Sequence, residues 1–241
     1  MTYCVGLQLD AGLVFLSDSR TNAGVDHIST FRKMNIFSQP GERIMVLLTS
    51  GNLAISQAVL NELKHADVGS DASTLSAAKT MVEAARIVGD ALRKVYVRDS
   101  ESLREFGLEF SASFIFGGQI GHARPALFQL YAAGNFIETT PETPYFQVGE
   151  SKYGKPILDR IIKTSTTLND AAKCALISMD STIRSNLSVG MPLDLLIYET
   201  GSLTIKTHVS IGHDDPYYQQ LRGQWGDHLR QAFNELPDPY Y

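Results

Sequence analysis

The stretch from Thr2 to Arg20 constrains the fold of this chain more than any other. Apolar residues begin at Tyr3 and alternate through Val5, Leu7 and Leu9, break at Asp10-Ala11-Gly12, and resume as the run Leu13 to Leu16 before Ser17-Asp18-Ser19-Arg20. This pattern predicts a β-hairpin. Chain ends are usually loose, so a strand that starts at the N-terminus is unusual.

The register of this hairpin depends on its turn. A three-residue loop, Asp10 to Gly12, pairs Leu9 with Leu13, Cys4 with Asp18 and Thr2 with Arg20, and sets Thr2 and Asp18 diagonally adjacent on one sheet face. A two-residue loop puts Asp18 on the opposite face. Gly12 suits the last position of the three-residue type, which is the expectation taken here.

Removal of the initiator Met is expected where the next side chain is small, and it leaves Thr2 with a free α-amine beside its own hydroxyl. The reference pKa of such an amine is about 7.7 to 8.0, so a useful fraction is neutral near neutral pH. Nucleophile and base then arrive in one residue. Position alone reads Thr2 as no more than the residue after Met, and further residues have to change that weighting.

Those residues are Asp18 in Ser17-Asp18-Ser19-Arg20, Lys33 in Arg32-Lys33-Met34, and a strand ending in Ser50-Gly51 before a helical pattern. Together with Thr2 this ordered set resembles the proteasome β-subunits and the bacterial HslV peptidase. Within that superfamily the Thr2-Tyr3-Cys4-Val5-Gly6 start, the length and the tail are most similar to the Anbu family of bacterial proteasome-related proteins. The resemblance covers residues 1–210 and implies an α+β fold of four layers, an αββα sandwich of the N-terminal nucleophile hydrolases. Residues 211–241 would be a helical extension.

The resemblance also implies roles. Thr2 would be the nucleophile, Lys33 would lower the pKa of its hydroxyl, and Asp18 would pair with Lys33. The N–H of Gly51 would donate to the oxyanion. Phe31 and Thr49 fall where the family lines the pocket for the residue before the cleaved bond. Ser151, in Val148-Gly149-Glu150-Ser151, is the candidate for a supporting hydroxyl, and Asp180 for its acidic partner. The family carries Ser or Thr three residues after that Asp, followed by Gly; this chain has Ile183-Arg184, with Ser181, Thr182 and Ser185 nearby. Family members assemble into rings, and the Anbu resemblance implies a large homo-oligomer as an open ring or helix.

Charge and cysteine content bound the alternatives. A formal charge of −5 and a pI near 5.7 argue against a nucleic-acid partner, because phosphate binding needs a basic stripe. Cys4 and Cys174 are too few for a disulfide scaffold or a structural zinc site, and read as small core residues. Six scattered histidines show no metal spacing, and neither a cofactor nor a metal is expected. His213-Asp214-Asp215 reads as a helix cap. Without a basic leader or an apolar run of about 18 residues, neither a signal peptide nor a membrane span is expected, and a reduced cytoplasm fits.

Periodicity predicts helices over residues 51–64, 74–96, 153–162 and 168–184, with Thr167 or Asn169 as N-cap of the last. Residues 67–73 read as a polar break and 99–105 as a solvated charged turn. Strands are predicted over 110–117, 126–132, 135–139 and 144–148, with a closing hairpin over 193–200 and 203–209. The glycine-containing stretch 118–125 lacks a following helix and a Lys-Ser/Thr ending and reads as a hairpin loop. In the last thirty residues Asp215-Pro216 opens a helix in which Leu221, Trp225, Leu229 and Phe233 recur every fourth position. That helix docks either on its own domain or on a neighbouring subunit.

Three functions follow. The leading one is an N-terminal threonine hydrolase cutting peptide or other amide bonds. The others are a small-molecule amidohydrolase of the same superfamily, and an assembly protein that kept the fold while its activity decayed.

Overall fold

The computed structural model of the protein describes residues 2–23, 27–66 and 74–241. Met1 and the polar break expected at 67–73 lie outside the described residues. The chain runs β1 (Tyr3–Leu9), β2 (Gly12–Asp18), β3 (Arg20–Ala23), β4 (His27–Thr30), β5 (Met34–Gln39) and β6 (Arg43–Gly51), then α1 (Leu53–Ala66) and α2 (Met81–Glu105). It continues through β7 (Ala112–Ile120), β8 (Ala126–Leu130), β9 (Phe136–Glu138) and β10 (Tyr145–Gly149) to α3 (Lys155–Ile161) and α4 (Leu168–Ser185). The hairpin β11 (Leu193–Glu199) and β12 (Thr207–Ile211) precedes the final helix α5 (Pro216–Asn234).

The N-terminal hairpin forms, but in a different register from the one expected. Leu9 faces Gly12 and Cys4 faces Ser17, so the loop consists of Asp10 and Ala11 alone. The cause is a neighbour that local turn chemistry does not reveal. Gly12 is the first residue of β2, and a Cβ there would lie 1.9 Å from the carbonyl oxygen of Tyr198 on β11. Its glycine is required by a close strand approach, with φ at +150°, and not by the turn. One step beyond the Cys4 and Ser17 pair, Asp18 stands across from Tyr3, on the face opposite that of Thr2.

Two five-stranded sheets carry the fold. One has the order β10-β1-β2-β11-β12 and the other β5-β6-β7-β8-β9, while β3 and β4 form a separate ribbon. Leu13 and Phe15 of β2 cluster with Val46, Leu48 and Ile115 of the second sheet. Val14 and Leu16 cluster instead with Ala171, Ala175 and Met179 of α4. Both faces of β2 are therefore covered, which explains a run from 13 to 16 that is apolar without alternation. On the far side of the second sheet, Met45, Leu47, Phe114 and Phe128 pack under Val59 of α1 and Ala84, Val88 and Leu92 of α2.

Helix α2 departs from expectation at both ends. It starts at Met81 because Thr80 caps it, accepting from the Glu83 N–H at 3.1 Å while Glu83 accepts from the Lys79 N–H at 2.8 Å. Residues 99–105 are its last turns. Their charges lie on a solvated helix face, where Asp99 pairs with Arg98, which also reaches Glu62 of α1. The stop is at Gly107, where Leu108 N–H donates to Leu103 O and Gly107 N–H to Arg104 O, the paired bonds of a Schellman end. Thr167 is the N-cap of α4, accepting from the Asp170 N–H.

Asp215 caps α5 through the Tyr218 N–H at 2.8 Å. The apolar stripe of α5 is divided. Tyr218 is buried and Leu221 packs with it against the α4 side of the first sheet, whereas Leu229 and Phe233 are 50% and 73% exposed. Among the described residues no helix is long and apolar enough to cross a membrane.

Phe15 is fully buried where the two sheets meet. Phe15→Ala should lower the free energy of unfolding by about 3 to 5 kcal/mol, read as a lower urea midpoint at unchanged slope. A loss of less than about 1 kcal/mol would show that the interface between the sheets is not the main core.

Candidate active site

The ends of β1, β2, β6 and β10 and the start of β5 converge on Thr2. Asp18 is the last residue of β2 and is completely buried. Its Oδ1 accepts from Lys33 Nζ at 2.6 Å and from the Tyr3 N–H at 3.1 Å, and its Oδ2 from the Gly190 N–H at 3.3 Å. Lys33 Nζ donates a second bond of 2.6 Å to the Arg20 carbonyl. Burial raises the Asp18 carboxyl above the usual carboxylate range, with the Lys33 ammonium and the two N–H groups opposing that shift.

Thr2 is held through its own peptide. Its carbonyl accepts from the Glu150 N–H at 2.7 Å, while the N–H on the far side of the same peptide is the Tyr3 donor to Asp18. Gly149 makes this possible. It sits at φ +85°, and a Cβ there would lie 1.9 Å from the Thr2 oxygen and 3.1 Å from Ser50 Oγ. Ser50 and Gly51 thus end β6 beside Thr2, and Gly51 itself has φ +109°.

The two expected pocket residues are tied to the same frame. Thr49 donates from its N–H to the Lys33 carbonyl at 3.0 Å, and the Phe31 N–H donates to the Ser19 carbonyl at 2.8 Å. Thr49 is buried and Phe31 is partly exposed. Cys4, the nearest thiol in sequence, is fully buried, and burial pushes its pKa far above the ordinary thiol value. It stays protonated and is a poor nucleophile.

The two residues expected to support Thr2 make the following contacts. Ser151 follows the turn that holds Thr2: its N–H donates to the Gly149 carbonyl at 3.0 Å, and its carbonyl accepts from the Lys155 N–H at 3.1 Å at the start of α3. Both oxygens of Asp180 are taken by arginines, Oδ2 by Arg184 Nε at 2.9 Å and Oδ1 by Arg222 Nε of α5. Helix α4 packs on the N-terminal strand and joins it by a side-chain hydrogen bond at Ser178, whose Oγ lies 2.6 Å from Tyr3 Oη. Tyr3, Gln147, Glu150, Ser178 and Gly190 were not found by sequence reasoning. Tyr3 sits in an alternating apolar strand and reads as core, and the others contact the N-terminus only through long-range folding. Among the described residues no group of three or more His, Cys, Asp or Glu could hold a metal ion.

No protein-family model matches the chain, and none of the curated proteins compared with it does. Solved structures do. Anbu from Hyphomicrobium sp. strain MC1 is 48% identical with a TM-score of 0.91, over 99% of this chain and 100% of that one. The ancestral β-subunit Anbu from Yersinia bercovieri is 48% identical with a TM-score of 0.93, over 99% of both chains. The chain belongs to the Anbu family. The helical assembly of the Anbu complex from Pseudomonas aeruginosa matches at 49% identity and a TM-score of 0.93, over 98% of both chains. Anbu is proteasome-related, so the likeness stated from sequence holds at the level of the family.

Gly149→Ala should move the Thr2 carbonyl, because the added methyl cannot share the space of that oxygen. The variant is expected to lose roughly 1 to 3 kcal/mol of stability, the cost of forcing a side chain into positive φ. Thermal unfolding measures this. An unchanged melting temperature would mean that Thr2 is not held against β10.

Proposed function

We propose that this Anbu chain is an N-terminal threonine hydrolase acting on peptide or other amide bonds after removal of Met1, on the αββα sandwich of the N-terminal nucleophile hydrolases. The observation that carries the reading is the sharing of Asp18 Oδ1 between Lys33 Nζ and the Tyr3 N–H. It ties a buried ammonium to the backbone of the residue that follows Thr2.

In this reading the neutral α-amine of Thr2 takes the proton of its own Oγ as that oxygen attacks the amide carbon. Lys33 stabilises the forming alkoxide electrostatically, and Asp18 holds Lys33 in place. The oxyanion of the tetrahedral intermediate is received by the Gly51 N–H. The α-ammonium then protonates the departing amine, leaving an ester on Thr2 that water hydrolyses with the same amine as base. Phe31 and Thr49 line the pocket for the residue before the cleaved bond. The engagement of Asp180 by two arginines favours a second reading, an assembly protein of low activity.

The chain is also proposed to self-associate, as the Pseudomonas aeruginosa complex does. Leu229, Phe233 and Leu236 of the tail are exposed beyond the docked half of α5, and each would contribute roughly 1.5 to 3 kcal/mol if fully covered.

Intact mass of protein made in a bacterial host is expected to show Met1 removed. Thr2→Ala should abolish covalent labelling by a hydroxyl-directed electrophile while the circular dichroism stays native. Lys33→Ala should lose a comparable factor, since such residues act as a unit. Retained Met1, or labelling of Thr2→Ala at the wild-type rate, overturns the reading; an unlabelled wild-type chain selects the assembly protein.

The labelling rate should rise with pH as the amine deprotonates, with a midpoint near the reference value of about 8. It should fall further in acid as Asp18 takes a proton and dissolves its pair with Lys33. Because burial raises the Asp18 carboxyl, that acid limb is expected above the ordinary carboxylate value. A flat profile across both ranges would exclude the amine as base.

Deleting residues 227–241 should shift sedimentation toward smaller species with the fold retained. Unchanged sedimentation would place the interface elsewhere.

A further inference from the structure

Tyr3 is tied at both ends, through its phenol oxygen and through its backbone. Its ring is fully buried, and its Oη accepts from Gln147 Nε2 at 2.6 Å and lies 2.6 Å from Ser178 Oγ. Burial raises its pKa well above the ordinary phenol value, so the hydroxyl keeps its hydrogen; it accepts from Gln147 and shares a hydrogen bond with the Ser178 hydroxyl, in which either oxygen can donate. The same residue's N–H is bound to Asp18, and the carbonyl preceding it to the Glu150 N–H.

The site of the phenol is built closely around it. A Cβ at Gly154 would fall 2.5 Å from Tyr3 Oη and 2.2 Å from Ser178 Oγ, so the chain entering α3 closes on this hydroxyl pair. Gln147 Nε2 also reaches the Ser151 carbonyl at 3.4 Å. Helix α4, strand β10 and the loop before α3 therefore all meet at one oxygen atom.

We infer that Tyr3 is a positioning residue for Thr2, an inference that rests on the nucleophile reading above. The ring acts as a strut between α4 and the N-terminal strand. With its backbone fixed at Asp18 and its far end fixed at Ser178 and Gln147, residue 3 cannot rock about the strand axis. Thr2 is left only its own torsions with which to place Oγ and the amine. Reactive groups gain from such fixing because a displacement of about 1 Å costs up to a hundredfold in rate.

The test compares wild type with Tyr3→Phe, Ser178→Ala and the double variant, using a β-lactone as the hydroxyl-directed electrophile. Tyr3→Phe keeps the ring and removes only the oxygen. The limiting first-order labelling constant should fall by roughly tenfold or more, while the half-saturating β-lactone concentration stays unchanged. Ser178→Ala should lower it less, and should add nothing in the Phe background, because the two act through one bond. A folded Tyr3→Phe that labels at the wild-type limiting rate overturns the inference. If Tyr3→Phe does not fold, Ser178→Ala alone carries the test, and a wild-type constant there overturns it.

If the wild-type chain is not labelled at all, the nucleophile reading fails separately. Positioning is then read from hydrogen exchange at the Tyr3 amide. Exchange at least tenfold faster in Tyr3→Phe supports the strut, and unchanged exchange removes it.

Discussion

The structure around the N-terminus depends on one buried ion pair, Lys33 with Asp18 at 2.6 Å, of which both side chains are almost wholly excluded from water. Removing two charges from water costs several kcal/mol per ion, and mutual attraction offsets this only when the remaining hydrogen-bonding capacity is also met. Here it is met by backbone: Tyr3 and Gly190 donate to the carboxylate, and the Arg20 carbonyl accepts from the ammonium. The pair therefore cannot be assembled by either sheet alone. Asp18 ends a strand of one, Lys33 immediately precedes a strand of the other, and the loop between α4 and β11 supplies Gly190.

That requirement shapes the surrounding chain. The loop from Asn186 to Pro192 fastens three successive residues of the β2 to β3 connection. Gly190 N–H holds Asp18, the Gly190 carbonyl takes the Ser19 N–H at 3.4 Å, and the Pro192 carbonyl takes Ser19 Oγ at 2.6 Å. Arg20 completes the clasp by donating to the Leu187 carbonyl at 3.0 Å while its guanidinium lies over Gly190. On the other side Asn186 donates to Glu150, the residue whose N–H holds Thr2. One loop thus braces the strand end that carries Asp18 and the turn that receives the Thr2 carbonyl.

What could be read from the sequence was whatever local chemistry determines. Thr2, Asp18, Lys33 and Gly51 were singled out by the resemblance of an ordered set of short motifs to the proteasome-related pattern, and each stands at or beside a strand boundary. The hairpin register was not visible, because Gly12 answers to Tyr198 on a strand far along the chain. Residues 99–105 are polar on a face that water covers, so charge density imitates a turn there; at the other end the Thr80 to Glu83 capping pair marks the true start, a signal that the reading from residue 74 passed over. Tyr3 was legible only as an apolar residue, since its partners Ser178 and Gln147 lie 175 and 144 positions away. Asp180 was read from a motif that fits its helix, but its oxygens are claimed by Arg222, 42 positions on in the tail.

Helix α4 links these two residues. Residues two apart on a helix project about 200° from each other, so Ser178 and Asp180 serve opposite sides. Ser178 faces the N-terminal strand and meets Tyr3, while Asp180 faces α5 and is closed over by Arg184 and Arg222. Because Asp180 is almost fully buried, leaving its charge without those guanidinium groups would be costly. The docked half of α5 is therefore part of the fold, and beyond it the same helix carries the exposed residues Leu229 and Phe233. The tail and the N-terminus share one support: α4 fastens the apolar tail on one face, and on the other the residue that follows Thr2.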